Sequence, residues 1–411
     1  MENLLTKKNV IIAGVVIIIL LGVLVWFGLK NGGEEGGGGL FGLFPSAQPS
    51  GETPPGSSKP GFEAAQKPGF LQPVGELPIS PEAAKNLPIG TLIRLSDANI
   101  ASLAPVGTTS ARYHKNIPEN LGHLFERRAD GSNEETRIAN FTIPQILRVV
   151  WAPDGKKAVI FYNLDSQIRK LLADYSATTT RTNFLPDTVS DVAFSPDSKS
   201  MAFINDLGDT QNIFVASSDF KNQKKVFDNN VHGFEISWPA SDLISLKTKS
   251  SRALAGFLYA LDPKTGSLNK IAEGRGLDAV WNSNGSGAIF STASSRGDML
   301  NLKFADIKTG EIKDLGVKTI AEKCVFLKTL KSVAYCGVPR AESRSGLPDD
   351  WWKGKVSFAD DFVAIDTTIA QTLFFVPTQL DITSPTSLAN DSYLLFRDKS
   401  SGNLWSLKLK P

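Results

Sequence analysis

The residues with the most distinctive side chains form one short run, Asp349-Asp350-Trp351-Trp352-Lys353. Two neighbouring indole rings are costly to expose to water, and tryptophan is enriched at the energetically dominant positions of binding sites. We therefore regard these five residues as a candidate interaction loop. The alternative is that one or both rings fold back and pack into the core, and the sequence leaves both interpretations open.

The two cysteines of the chain, Cys324 and Cys336, are close enough in sequence to lie in one hairpin. If the turn is centred on Leu330, the two residues face each other across neighbouring strands. Outside the cytoplasm such a pair can oxidise and close a 13-residue segment, which would stabilise the fold by about 2–3 kcal/mol. Two buried free thiols are the alternative.

No residue pattern identifies a catalytic, cofactor-binding or metal-binding site. His114, His123 and His232 have no cysteine or second histidine at the spacing of a zinc site, so we expect surface or packing histidines. The adjacent carboxylates Asp349-Asp350 and Asp360-Asp361 do not mark an acid–base pair, because neighbouring residues on a strand point to opposite sides. The Gly-x-Ser-x-Gly motif of hydrolases does not occur in the sequence. We therefore predict no cofactor and no metal.

The chain repeats a pattern in which an apolar strand ends at an aromatic residue and a polar turn follows. The clearest copies are Trp151-Ala-Pro-Asp-Gly, followed by the apolar run 158–161, and Phe194-Ser-Pro-Asp, followed by 201–204. Looser copies place the marker at positions 103, 238, 281, 326 and 383. The spacing of about 45 residues, with one longer interval, is the period of a four-stranded propeller blade. We predict an all-β fold, a seven-bladed β-propeller of four-stranded antiparallel blades, over residues 88–411.

The two clearest copies resemble the repeats of TolB-like (WD-repeat-like) propeller proteins, in which an aromatic residue precedes Ser/Ala-Pro-Asp-Gly and an apolar strand. This resemblance implies a propeller that takes part in protein–protein interaction in the cell envelope. The last repeat lacks a fourth strand, so we expect the strand at 91–95 to complete the outer edge of the seventh blade. By our count, the cysteine hairpin and the candidate interaction loop fall in the fifth blade, the loop between its second and third strands.

Residues 10–29 form an uninterrupted apolar block. As a helix this block is about 30 Å long, which matches the hydrocarbon core of a membrane, so we predict a retained transmembrane anchor. A cleaved signal peptide is the alternative. Lys7 and Lys8 precede the block and place residues 1–9 in the cytoplasm, with the propeller on the extracytoplasmic side of the cytoplasmic membrane. Residues 30–87 are rich in Gly, Pro and Ser and are predicted to be a disordered linker.

The chain has 44 basic and 42 acidic residues and a formal net charge of +2. This balance gives no electrostatic drive towards a polyanion, so we predict no nucleic-acid partner. The repeats and the anchor together predict a non-enzymatic, membrane-anchored platform that binds an unidentified protein or cell-envelope component. The alternative is a propeller enzyme, a glycan hydrolase or lyase, with its site in the central mouth. Several ionisable side chains converging on that mouth would favour the enzyme, whereas a plugged mouth with an exposed indole would favour the platform.

Overall fold

The structure is a computed structural model that describes residues 77–294, 300–341 and 346–410. Within these residues, 28 strands form seven four-stranded sheets, and all strand pairs are antiparallel. The chain is therefore an all-β, seven-bladed β-propeller of four-stranded blades. The predicted anchor at 10–29 lies outside the described residues, and none of the helices described is of a length and hydropathy that would span a bilayer.

The first six blades each consist of four consecutive strands, and the first strand of each blade lies innermost, against the first strands of its neighbours. One strand, β1, precedes them. The strands from β1 to the end of the third blade are β1 (Leu92–Ser96), β2 (Ile100–Val106), β3 (Ser110–Lys115), β4 (Leu124–Arg128), β5 (Thr136–Ala139), β6 (Ile146–Trp151), β7 (Lys157–Leu164), β8 (Gln167–Asp174), β9 (Arg181–Phe184), β10 (Val189–Phe194), β11 (Ser200–Asp206), β12 (Gln211–Ser217) and β13 (Lys224–Phe227).

The remaining strands follow in the same order. They are β14 (Phe234–Ala240), β15 (Leu243–Thr248), β16 (Ala255–Leu261), β17 (Leu268–Arg275), β18 (Asp278–Trp281), β19 (Gly287–Ala293), β20 (Leu300–Asp306), β21 (Ile312–Lys318), β22 (Cys324–Phe326), β23 (Val333–Pro339), β24 (Asp360–Asp366), β25 (Gln371–Leu380), β26 (Ile382–Ser387), β27 (Tyr393–Asp398) and β28 (Leu404–Lys408). The helices are α1 (Pro81–Asn86), α2 (Asp349–Trp352) and two 3-10 helices (Pro118–Asn120 and Ala321–Lys323).

The seventh blade contains both ends of the ring. Its order is β26, β27, β28 and then β1, so the strand before the first repeat forms the outer edge of the last blade. Leu92 pairs with Leu407, and Ile93 pairs with Ser406. Because β1 covers the edge of β28, that strand has no unpaired ladder, and the contact of β2 with β26 closes the circle.

The Pro-Asp-Gly turns join the first and second strands of a blade. In the second blade, Gly155 adopts a φ of +68° and donates a backbone hydrogen bond to the carbonyl of Ala152. The Asp154 carboxylate accepts from the backbone N–H of Lys156 at 3.0 Å. Glycine reaches this left-handed conformation without strain, and aspartate readily bonds to the backbone two residues ahead, so the sequence specifies the reversal locally.

The hydrophobic cores lie between neighbouring blades. Phe161 of the second blade packs in one cluster with Phe194, Met201 and Phe203 of the third, and all four are at least nine-tenths buried. Burial of each such side chain contributes about 1.5–3 kcal/mol. Trp281 and the other repeated aromatic residues occupy corresponding clusters, so the period of the sequence reflects packing between blades.

The ring has two distinct ends. We call the end at which the innermost strands begin the entry end, and the opposite end the exit end. The first described residues lie at the exit end, where the backbone N–H of Ile79 donates to Gly131 O. Residues 77–87, which the sequence assigned to the linker, contain α1 and bind the ring, because Lys408 Nζ donates to the carbonyls of Lys85 and Leu87.

Candidate functional site

The entry end carries ion pairs that join neighbouring blades. In the first of these, the Arg148 guanidinium of β6 donates to the Asp191 carboxylate of β10. Asp191 is buried, and its other oxygen accepts from the backbone N–H of Ile236 in β14 at 3.0 Å. One carboxylate therefore connects the second, third and fourth blades. Both of its oxygens accept hydrogen bonds from the protein, so we assign Asp191 a structural role.

A second linkage continues to the fifth and sixth blades. Lys247 Nζ lies 3.1 Å from Glu235 Oε2 and 2.5 Å from Asp278 Oδ1. Burial alone would lower the pKa of Lys247, but these two carboxylates outweigh it and raise the pKa, so the ammonium stays charged. The second oxygen of Asp278 accepts from the backbone N–H of Glu322 at 2.6 Å. We call Glu235, Lys247, Asp278 and Glu322 the Glu322 cluster.

Glu322 is the member of this cluster best suited to proton transfer. It lies in a 3-10 helix directly before the innermost strand of the sixth blade and is half-buried. Its Oε2 accepts from Trp352 Nε1 at 2.8 Å, and its Oε1 accepts from Thr383 Oγ1 at 3.2 Å. Burial and the charge of Asp278 raise the pKa of Glu322, although both hydrogen bonds favour the ionised form. A carboxyl with a raised pKa beside a charged partner is a candidate general acid or base.

The next residue, Lys323, forms a buried charge cluster. Its ammonium lies 2.6 Å from Asp360 Oδ2 and 2.7 Å from Asp381 Oδ1, and all three side chains are shielded from solvent. Burial raises the pKa of Asp360 to about 6 in spite of this contact. Burial acts in the same direction on Asp381, but Lys323 and the hydrogen bonds to Asp381 outweigh it and lower that pKa. One cation between two carboxylates leaves a net negative charge out of water, which favours a retained proton.

The two predicted indoles pack against these clusters. Trp351 is fully buried in α2, its Nε1 donates to Asp381 Oδ1 at 2.9 Å, and its ring centroid lies 4.8 Å from Lys323 Nζ. Trp352 is half-buried and donates to Glu322. The rings therefore fold onto the entry end of the sixth blade, and the geometry favours the packing alternative for Trp351.

The remaining residues of the candidate interaction loop lie at the outer side of α2. Asp349 Oδ2 accepts from the backbone N–H of Arg252 at 2.7 Å, which ties this segment to the fourth blade. Asp350 Oδ2 accepts from the backbone N–H of Gly346 at 3.1 Å, and Lys353 is exposed. The loop is thus an ordered cover beside the mouth.

Cys324 and Cys336 are joined by a disulfide. They are register partners in β22 and β23, and both side chains are buried. These strands belong to the sixth sheet in chain order, so the numbering of this hairpin and of the candidate interaction loop as part of the fifth blade is wrong. The marker at 103 lies in the first blade, so the marker at 326 belongs to the sixth.

The histidines lie apart from one another. His114 is fully buried between the first two blades, where Ser102 Oγ lies 2.8 Å from its Nδ1, and burial lowers its pKa to about 3. His123 is half-buried in the first blade, and His232 Nδ1 lies 4.0 Å from Asp206 in the third. Across the described ranges, no group of three or more His, Cys, Asp or Glu side chains is arranged to hold a metal ion.

The sequence reasoning missed Glu322, Lys323 and Lys247. A usable signal was present, since Glu322-Lys323 directly precedes an apolar innermost strand and so must lie at the rim of the ring. The partners of these residues, however, come from other sheets. Only the folded ring brings Asp278 and Asp381 to them.

Comparisons with known proteins identify the fold. No family model and no curated protein matches the sequence. A solved oligogalacturonate lyase in complex with manganese matches with a TM-score of 0.59 and 9% identity, over 78% of this chain and 93% of that chain. An oligogalacturonate lyase from Vibrio parahaemolyticus matches with a TM-score of 0.57 and 9% identity, over 78% and 94%. TolB from Acinetobacter baumannii matches with a TM-score of 0.43 and 15% identity, over 76% and 63%. At these identities the similarity concerns the fold.

The prediction of a non-enzymatic binding platform is contradicted by these comparisons. Both lyases are enzymes by name, and they match with TM-scores of 0.59 and 0.57; at 9% identity this likeness concerns the fold and does not settle whether this chain is an enzyme. The entry end also differs from the one that the platform requires. Ionisable side chains of neighbouring blades pair there, and the predicted contact residue Trp351 is fully buried.

Proposed function

We propose that this chain is a lyase that cleaves a uronate-containing oligosaccharide by β-elimination at the entry end, with Glu322 as the proton-transfer residue. The observation that carries the proposal is the half-buried carboxyl of Glu322, whose pKa burial and Asp278 raise. The substrate class is supported by the two lyases, whose printed names specify oligogalacturonate and whose chains share this fold over more than nine-tenths of their length.

The elimination moves one proton and breaks one carbon–oxygen bond. The Glu322 carboxylate takes the proton from the carbon next to the substrate carboxyl group. The electron pair left behind forms a carbon–carbon double bond as the glycosidic bond breaks, and the protonated Glu322 then gives its proton to the leaving oxygen. A raised pKa serves both halves of this exchange, because it makes the carboxylate a stronger base for taking the proton while the protonated form can still give it to the leaving oxygen.

The surroundings of Asp278 favour elimination over hydrolysis. Hydrolysis of a glycoside uses a second carboxyl group, as the base for a water molecule or as a nucleophile. Asp278 is the carboxylate beside Glu322, but its Oδ1 is bound to Lys247 and its Oδ2 accepts from the backbone of Glu322. It is also only 3% exposed. An elimination in which Glu322 acts alone requires no such second group.

Trp352, Thr383 and Lys247 complete the proposed site. The donors on Trp352 and Thr383 bind one oxygen each of Glu322 and so fix the plane of its carboxyl group. The charge of Lys247 favours the ionised form of Glu322, which opposes the effect of Asp278. These groups position Glu322 and tune its acidity; the transferred proton resides on Glu322 itself.

The product of the reaction tests the proposal. Purified chain is incubated with oligogalacturonate and, as a matched control, with a neutral oligosaccharide of the same length, each with and without manganese. We expect the ultraviolet absorbance of an unsaturated product with oligogalacturonate and no such absorbance with the neutral oligosaccharide. New reducing ends without that absorbance would identify a hydrolase and overturn the elimination. No cleavage of either substrate would overturn the proposed activity altogether.

We also propose that residues 10–29 anchor the chain in the cytoplasmic membrane, with the ring on the extracytoplasmic side. The apolar block and the preceding Lys7 and Lys8 support this. Fractionation and protease accessibility of the full chain test it, with a chain lacking residues 10–29 as the control. Recovery of the full chain in the soluble fraction would contradict it.

A further inference from the structure

A cavity lies at the entry end, between the second and third blades, on the far side of the ring from Glu322. Its volume is about 420 Å³, and no described residue of the Glu322 cluster lines it. Leu147 and Ile168 line it and are more than half exposed. Such apolar side chains at the rim of a concave site are available to a ligand.

One wall of this cavity is a row of three side chains across the second blade. Arg148, Phe161 and Lys170 occupy adjacent register positions on β6, β7 and β8, so they lie on the same face of the sheet. The Arg148 guanidinium lies 4.6 Å from the centroid of the Phe161 ring. Two cationic side chains beside an apolar ring suit an anion with an apolar body. Asp187 and Asp206 also line the cavity, so the anion must approach on the side of Lys170 and Arg148.

Lys170 is the unusual member of this row. Its side chain is more than nine-tenths buried, and its Nζ donates to the backbone carbonyl of Asp187 at 2.9 Å. No carboxylate among the described residues lies within 4.0 Å of this ammonium; the Asp187 carboxylate, 3.6 Å from Arg169, acts on it from a greater distance. Buried lysines are rare unless paired, because an uncompensated charge is costly to remove from water. Burial lowers the pKa of Lys170, and the charge of Asp187 opposes that effect.

We propose that this cavity binds a small organic anion, whose carboxylate, sulfonate or phosphate group pairs with Lys170 while its apolar body packs on Phe161, Leu147 and Ile168. The anion pairs with this ammonium directly, whereas the Asp187 carboxylate acts on it only from beyond 4.0 Å. Arg148 adds a second positive charge beside the phenyl ring of Phe161. Its guanidinium is paired with Asp191, and 44% of its side chain is exposed. This site is independent of the proposed lyase activity.

Calorimetric titration with benzoate, benzamide and inorganic phosphate tests the site in the full chain. We expect one benzoate per chain, with benzamide at least about tenfold weaker because it lacks the charge. Because the anionic group pairs with Lys170, we expect inorganic phosphate to compete with benzoate for the same site. Equal binding of benzoate and benzamide, or no binding of benzoate, would overturn the proposal.

Substitution of Lys170 assigns the site. Lys170→Met and Lys170→Gln should each weaken benzoate at least about tenfold, and both should unfold at or above the wild-type temperature, because an unpaired buried ammonium is removed. Lys199→Met is the matched control, since Lys199 is exposed in a turn at the exit end. Benzoate binding that survives both Lys170 substitutions, or that is lost equally in Lys199→Met, would place the anion elsewhere.

Discussion

The indole Nε1 of Trp352 donates a hydrogen bond of 2.8 Å to Oε2 of Glu322. This contact joins the segment between the second and third strands of the sixth blade to the start of that blade's innermost strand. It favours the ionised form of a carboxyl group whose pKa burial and Asp278 raise. The candidate interaction loop thus takes part in setting the acidity of the proposed proton-transfer residue.

Trp352→Phe keeps an aromatic ring but removes the donor. We expect the pKa of Glu322 to rise further, because a hydrogen bond to a charged group contributes about 1.5–3 kcal/mol, equivalent to at most about one to two pKa units. The acidic limb of the pH–rate profile for elimination should move to higher pH. A carbon NMR titration of the Glu322 carboxyl checks the same shift without substrate.

Trp351→Phe is the control for this experiment, because that indole donates to Asp381 instead of Glu322. The acidic limb should stay in place in this variant. An acidic limb that moves equally in both variants would assign the effect to general packing, and an unmoved limb in Trp352→Phe would show that the hydrogen bond does not tune Glu322.

Trp351→Ala tests the packing role of the buried indole. The ring is fully buried, and its loss leaves a cavity beside Lys323, so we expect the free energy of unfolding to fall by about 3–5 kcal/mol. Urea denaturation measures this, with Trp352→Ala as the comparison, because that side chain is half-buried and should cost less. If Trp351→Ala lowers the free energy of unfolding by less than Trp352→Ala does, Trp351 contributes little to the stability of the core.

Asp360→Asn tests the buried charge cluster through the pH dependence of stability. The pKa of Asp360 is about 6 in the folded protein, and we take the ordinary value of 3.8 for the unfolded chain. Between pH 3.8 and pH 6 the folded state therefore binds more protons than the unfolded state. The wild-type free energy of unfolding should therefore decrease as the pH rises from about 4 to 7, by about 2–3 kcal/mol from this residue.

Asn does not titrate, so the decrease should be correspondingly smaller in Asp360→Asn. Denaturant unfolding at several pH values across this range measures the difference between variant and wild type. Glu322 contributes in the same direction in both proteins and cancels in that difference. Identical pH dependence of the two proteins would contradict the raised pKa of Asp360.

The disulfide between Cys324 and Cys336 should contribute measurable stability. It closes a short loop with a sequence separation of 12, and such loops contribute about 2–3 kcal/mol. Cys324→Ala with Cys336→Ala should lose about that amount in denaturant unfolding. Reductant should destabilise the wild type and leave the double variant unchanged; a wild type that does not respond to reductant would show that the bond contributes nothing.

The fold was predictable because its signals are local. Trp151, Phe194 and Trp281 mark the period of the blades, and the Pro-Asp-Gly turn needs only Asp154 and Gly155 to reverse the chain. The blade number predicted for the cysteine hairpin was wrong, because the hairpin belongs to the sixth sheet and not the fifth. The repeat is therefore easiest to recognise in the sequence where an aromatic side chain packs between two blades.

The candidate site was not predictable, because its chemistry depends on contacts between sheets. The pKa of Glu322 is raised by burial and by Asp278, 44 residues earlier in the chain, and is lowered by the hydrogen bond from Trp352. Trp351 is buried in a cluster with Leu300 and Ile320, where Asp381 accepts its N–H, and no pattern around the two indoles indicates that partner. The sequence does not distinguish an exposed charged residue at the end of the ring from a buried one, because burial depends on contacts between sheets.

The most direct test of the account is the elimination rate of Glu322→Gln. Glutamine keeps the size of the side chain and an oxygen that accepts from Trp352, but it cannot carry the proton. We expect kcat/KM on oligogalacturonate to fall by about 10²–10⁴-fold with little change in thermal unfolding. A Glu322→Gln variant that retains the wild-type kcat/KM would contradict the assignment of proton transfer to Glu322.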